Sequence, residues 1–320
     1  MSSDLLGEAL NAPPGRLAEV LIGKVTKGSS SELPDDVRAR LDRLVDAPGK
    51  AGLLARVRLA RDLPFLFDRA PNWTTSRMIP LFDWSSPDAA GVWSARKYSA
   101  YIGSPKLFGL VKQSFLEIFG RSNTPAEDLR TFAEWLTAIL IANHAGGAGY
   151  PLLDTEARSA LRRAGESALS SVGHRLAVEM EGATPEQKIE RWQTAVGPVF
   201  RAIWPLDVEL QTSAATFKLV QILLATGDAF PEAADVIIPF IQPDDARAHS
   251  TIFSIAEAPD ALFQAAPSKM LDITAGVVGE ALPGSVYALG RVLSRLRAID
   301  FSLADTRKFQ KLLTYASQHG

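Results

Sequence analysis

Cysteine is absent from this 320-residue chain, and histidine occurs only four times. Without thiols there is no disulfide, no thiolate-bound zinc, no iron–sulfur cluster and no cysteine nucleophile. The histidines, His144, His174, His249 and His319, show no HxxxH or HExxH spacing, so the sequence predicts no metal site. Long apolar runs are missing as well. The most apolar stretches, 136–142 and 236–241, fall far short of the roughly 20 residues of a membrane-spanning helix. The first residues mix Asp4, Glu8 and Glu19 with apolar side chains and carry no basic leader, which predicts a soluble cytoplasmic protein. Neither sign of charge dominates: 34 basic and 36 acidic residues leave −2, so no bulk field draws the chain to nucleic acid or anionic lipid. Asn-Gly and Asp-Gly hairpin turns do not occur. The two β-branched stretches, Val236–Ile238 and Thr251–Phe253, suit short buried helices as well as strands.

What is present is the composition of an ordinary folded protein, 47% hydrophobic and 22% charged. Ser86-Pro87, Ser104-Pro105, Thr124-Pro125 and Thr184-Pro185 each put a hydroxyl in front of a proline. That pairing suits a helix start, because the hydroxyl accepts an orphan N–H and proline at the first position has none to leave unpaired. Thr124 with Glu127 and Thr184 with Gln187 extend it to capping boxes. Apolar stripes at helical spacing follow: Leu107, Val111, Phe115 and Ile118; then Leu129, Phe132, Leu136 and Ile139. Leu169, Val172, Leu176 and Met180 predict a long helix beginning near Asp154. Phe217, Val220 and Leu224 predict another that stops at Gly227; Val286, Leu289, Leu293 and Leu296 predict the next to last; Phe309, Leu312 and Leu313 predict the last. The expectation is an all-α, irregular, solenoid-like array of about 13 to 15 helices. The glycine-rich run from His144 to Pro151 predicts a boundary between a half at 1–145 and a half at 150–320. The Ser-rich segment Lys27 to Leu33 reads as a loop.

Recognisable catalytic patterns are scarce. The GGAG run from Gly146 lacks the Lys-Ser/Thr of a P-loop and reads as an inter-helix loop. Asp35-Asp36 and Asp244-Asp245 each follow a proline, where acids complement a helix dipole better than they suggest acid–base work. No GxSxG elbow presents a serine nucleophile. No catalytic, cofactor-binding or metal residue is therefore assigned. Arg56, Arg58 and Arg61 share one helix, and Arg291, Arg295, Arg307 and Lys311 make a candidate basic face near the end of the chain. Such a face tracks phosphates in some proteins, but Asp300 and Asp305 interrupt it, and a solvated surface is the plainer reading.

Three of the six tryptophans, Trp73, Trp84 and Trp93, crowd into the segment 71–119. They serve either as core anchors where helices cross or as an exposed partner surface, and the core reading is the plainer one. The segment runs Trp73, then Pro80-Leu81-Phe82-x-Trp84, Ala90-x-x-Trp93, Pro105-x-Leu107-Phe108 and Phe115-Leu116-x-x-Phe119. Upstream stands Asn11-x-Pro13-x-Gly15-Arg16-Leu17-Ala18. This arrangement resembles the helical domain of unknown function that follows sirtuin-like domains in bacterial anti-phage defence proteins. The resemblance covers residues 8–120; beyond them only the helical character agrees. It implies a non-enzymatic sensor or scaffold that regulates an attached or partner sirtuin-like, NAD-cleaving effector. It carries over no catalytic residue, since the nucleotide fingerprint of such an effector is not found here. A protein partner, either effector or invader component, is expected, and no membrane. The alternatives from other classes are a nucleic-acid-binding helical solenoid and a small-molecule enzyme with its pocket between the helical halves.

Overall fold

The computed structural model describes residues 4–27, 33–99, 101–207, 210, 212–243, 247–279, 286 and 288–319. Asp244-Asp245 and most of the Ser-rich loop lie outside them. The described residues contain helices and no strand, so the all-α expectation holds. Val236–Ile238 and Thr251–Phe253 are both helical. Two compact units are formed, Met1–Phe132 with Gly149–Leu152, and Ala133–Ala148 with Leu153–Gly320.

The first unit carries α1 (Leu5–Asn11), α2 (Pro13–Lys27), α3 (Asp35–Asp46), α4 (Gly49–Arg61), α5 (Leu63–Arg69), α6 (Pro71–Arg77), α7 (Ala89–Arg96) and α8 (Pro105–Glu117). The long α9 (Ala126–Gly146) begins in it and ends in the second unit. Helix α4 lies at the centre, packed against α1, α2, α3 and α7. Leu54, Ala55, Val57, Leu59 and Ala60 bury nearly its whole circumference, as expected of a helix enclosed by others. Helices α1 and α2 meet in a tight elbow at Pro13. There a Cβ on Gly15 would lie 1.8 Å from the carbonyl oxygen of Ala9, so only glycine fits. Residues 149–152 belong to this unit for visible reasons. The Tyr150 hydroxyl donates to the Gly103 carbonyl at 2.8 Å, and its ring meets Phe108 edge-on at 5.9 Å.

The second unit holds α10 (Asp154–Ala164), α11 (Glu166–Glu181), α12 (Lys188–Arg191), α13 (Gly197–Ile203), α14 (Ser213–Ala225) and α15 (Phe230–Ile237). It continues through α16 (Ala248–Ala256), α17 (Asp260–Ala265), α18 (Pro267–Val278), α19 (Leu289–Ile299) and α20 (Arg307–His319). Packing advances along the chain: α11 on α14, α14 on α15 and α16, α16 on α18 and α19, and these two on α20. Each helix buries its stripe against near neighbours in sequence, the economy of a repeat-like array.

Several helix boundaries depart from expectation, each for a local reason. Twenty α-helical segments are present among the described residues rather than 13 to 15, because pieces as short as the four residues of α12 are helical. The helix expected from Asp154 through Met180 is two, α10 and α11, broken at Gly165. Gly165 adopts φ +73° and ψ −160°, a conformation closed to residues with a Cβ. Ser86-Pro87 opens a turn, and α7 starts only at Ala89. Ser104 does cap α8, accepting from the Leu107 N–H at 3.3 Å. Thr184 and Gln187 form their box, with the Gln187 side chain accepting from the Thr184 N–H at 3.2 Å. Between α12 and α13 the helix widens to a π-turn over Trp192–Val196, whose closing bond runs from the Gly197 N–H to the Trp192 carbonyl. Pro198, just beyond, supplies no N–H, and the wider turn reassigns the bond.

Candidate functional site

The tryptophan-rich segment builds an aromatic knot within the first unit. Trp93, on α7, is 3% exposed. Its ring meets Phe82 edge-on at 4.9 Å, Phe132 edge-on at 5.6 Å and Phe115 of α8 at 6.0 Å. Its indole N–H donates to the Phe82 carbonyl at 3.0 Å, so its polar atom is satisfied inside the core. Trp84 is only half-buried. It donates to the Ser114 carbonyl at 2.9 Å, and the Arg121 guanidinium lies 4.0 Å above its ring. Trp73, on α6, is buried, and its N–H donates to Asp42 of α3 at 2.9 Å. The three indoles thus reach three different partners, and none stands as a free aromatic patch.

A small cavity of about 40 Å³ remains between Trp84 and Trp93, with Asn123, Thr124 and Asp128 on its wall. The expected capping box at Thr124 is not what its side chains do. The Thr124 hydroxyl donates to the Ile118 carbonyl at 3.1 Å, and Glu127 pairs with Lys97 at 3.2 Å. Lys97 also reaches Asp128 at 2.5 Å, and both of these side chains are more than nine-tenths buried. Burial alone would lower the lysine. The hydrogen bonds and charges of Asp128 and Glu127 outweigh it and hold the ammonium above its ordinary value. Next to it, Arg96 is 3% exposed and donates to the carbonyls of Tyr101 and Ile102. Burial pushes its guanidinium down to about 10, still charged at neutral pH.

The N-terminal arginines are structural too. Arg56 donates to the carbonyls of Val45 and Ala47, closing the end of α3, and pairs with Asp88. Arg58 is buried against Asp62. In the second unit the expected basic face divides. Arg291 pairs with Glu257 at 2.8 Å. Arg295 donates to the carbonyls of Ala256 and Ala258, pairs with Asp260 at 2.5 Å, and covers the Phe263 ring at 3.9 Å. Arg307 and Lys311 are exposed on α20. Hence Arg291 and Arg295 bind their own chain, where sequence spacing had placed all four on one open surface.

Of the histidines, His174 and His249 are exposed, while His144 lies 3.1 Å from Asp154 in the second unit. No group of three or more potential metal ligands occurs among the described residues, and none of their helices is long and apolar enough to cross a membrane.

No family model and no solved structure matches the chain. The uncharacterized protein y4cA of Sinorhizobium fredii is similar to it, 21% identical over 320 residues that cover 97% of this chain. The chain spans about a quarter (26%) of that relative's length.

Proposed function

We propose that this chain is a non-enzymatic helical interaction module, a sensor or scaffold of a bacterial anti-phage defence protein that regulates an attached or partner sirtuin-like effector. The observation that carries the reading is the match of nearly the whole of this helical chain to about a quarter of a far longer relative. The resemblance of residues 8–120 supplies the defence context, and the cytoplasm is where phage components and NAD are met. The knot around Trp93 and the buried Lys97–Asp128 pair give the module a stiff first unit, as a scaffold requires. The test has two arms. Purified chain hydrolyses no NAD, and deletion of its coding segment abolishes phage protection in a strain that carries the whole system. Turnover by a clean preparation, or protection that survives the deletion, would overturn the reading.

A nucleic-acid-binding array is the second reading. It draws on Phe301, 65% exposed beneath the Arg297 guanidinium, and on the exposed Arg307 and Lys311 of α20. The ion pairs that occupy Arg291 and Arg295 weigh against it.

A further inference from the structure

A second cleft of the first unit is separate from the aromatic knot. It measures about 420 Å³ and opens between the first turn of α3 and the elbow joining α5 to α6. That is the size of pockets that take small organic groups. Pro71 and Trp73 form an apolar wall, and Asp35, Arg38, Asp68 and Asn72 supply polar atoms. These polar groups are not equivalent. Arg38 and Asp35 neutralise each other at 2.5 Å. Trp73 has committed its N–H to Asp42 and offers only hydrocarbon. Asp68 accepts a single hydrogen bond, from the Tyr101 hydroxyl at 3.2 Å, and no cation pairs with it among the described residues. Tyr101 stays protonated at neutral pH, since burial and the Asp68 charge both raise it. The Asn72 amide has no hydrogen-bond partner among the described residues.

The cleft therefore offers an unneutralised carboxylate, an amide carbonyl and a flat apolar wall. The complementary chemistry is a planar cation with several donors on a hydrocarbon stem. An ammonium uses one carboxylate as well as a guanidinium does, but only the guanidinium fork meets two acceptors in its plane while its stem lies on the wall. We infer that this cleft binds a guanidinium group, as carried by an arginine side chain, with Asp68 as counter-ion and Asn72 as second acceptor. The inference stands apart from the regulatory role proposed above.

Capped arginine, its neutral isostere capped citrulline, and an eight-residue peptide with one central arginine are titrated calorimetrically into the full chain. Capped arginine is expected to bind at least tenfold tighter than capped citrulline. Asp68→Asn should weaken the arginine probes about tenfold and leave the melting temperature unchanged, since Asp68 is exposed. Arg38→Ala should strengthen them by removing a like charge and freeing the Asp35 carboxylate. A peptide that binds more tightly than capped arginine assigns the group to a protein segment; equal affinity assigns it to a free small molecule. Absence of binding by both arginine probes, equal binding of citrulline, or indifference to Asp68→Asn would overturn the inference.

Discussion

Trp93 and Trp84 stand nine positions apart, yet their surroundings load them differently. Trp93 touches three phenylalanine rings and is sealed from water, so Trp93→Ala should cost about 3–5 kcal/mol. Trp84 is half-buried and contributes one hydrogen bond and one cation–π contact. Its truncation should cost about 2 kcal/mol. Both line the same small cavity, so the double mutant should depart from additivity by about 0.5 kcal/mol or more in denaturant titration. Equal costs for the two single mutants would contradict this placement. Glycines give an equally local contrast. Gly165→Ala forces a Cβ into a glycine-only conformation and should destabilise by about 1–3 kcal/mol. Gly146→Ala meets open space without a positive φ and should be neutral or stabilise by up to about 1 kcal/mol. Melting temperatures of the two variants should therefore move in opposite directions, or only that of Gly165→Ala should fall.

At the scale of elements, what was legible was whatever depends on neighbours in sequence. Ser104 and Thr184 act where their spacing to Leu107 and Gln187 predicts, because a cap is satisfied within one turn. Thr124 and Glu127 have the same local pattern, but Lys97, some thirty residues upstream, claims Glu127. No local rule contains that competitor. The same holds for Arg56 and Arg58, which look like surface charge in sequence and prove to be struts between helices, Arg56 reaching Val45 and Asp88, and Arg58 reaching Glu19 of α2 at 3.7 Å. The break at Gly165 was hidden because apolar stripes run up to it on both sides, and one glycine alone does not predict a positive φ. The Lys97 link joins the stretch after α7 to the start of α9. Lys97→Met should cost about 3–5 kcal/mol, since it strands the Asp128 carboxylate in the interior. Pairing it with Asp128→Leu should recover most of the loss. Since the fold raises the lysine above its ordinary value, this contribution is full below a pH of about 10 and fades only as pH climbs through the raised value. Thermal denaturation of wild type and Lys97→Met should therefore differ by a constant amount between pH 7 and 9.

For the molecule as a whole, near-balanced charge has a measurable outcome. A formal net charge of −2 and arginines drawn into ion pairs leave little free positive potential. At 150 mM salt, binding to a 20-base-pair duplex should be no tighter than the nonspecific range of about 10⁻⁴ to 10⁻⁶ M. A submicromolar affinity with a steep salt slope would instead favour the nucleic-acid reading. The far-ultraviolet spectrum should be that of a helical protein with no β signature, as the described residues require.

One further property follows from residues 149–152, which lie on the far side of α9 yet pack with the first unit. That unit is discontinuous, and its last side chains, Tyr150 among them, are translated only after the whole of α9. At about 5–20 residues per second, the interval between Phe132 and Leu152 is one to a few seconds on the ribosome. During it, Gly103 and Phe108 await the partners they have in the finished fold. A nascent chain stalled with residue 145 just clear of the exit tunnel should therefore be digested by protease faster than one stalled past residue 152.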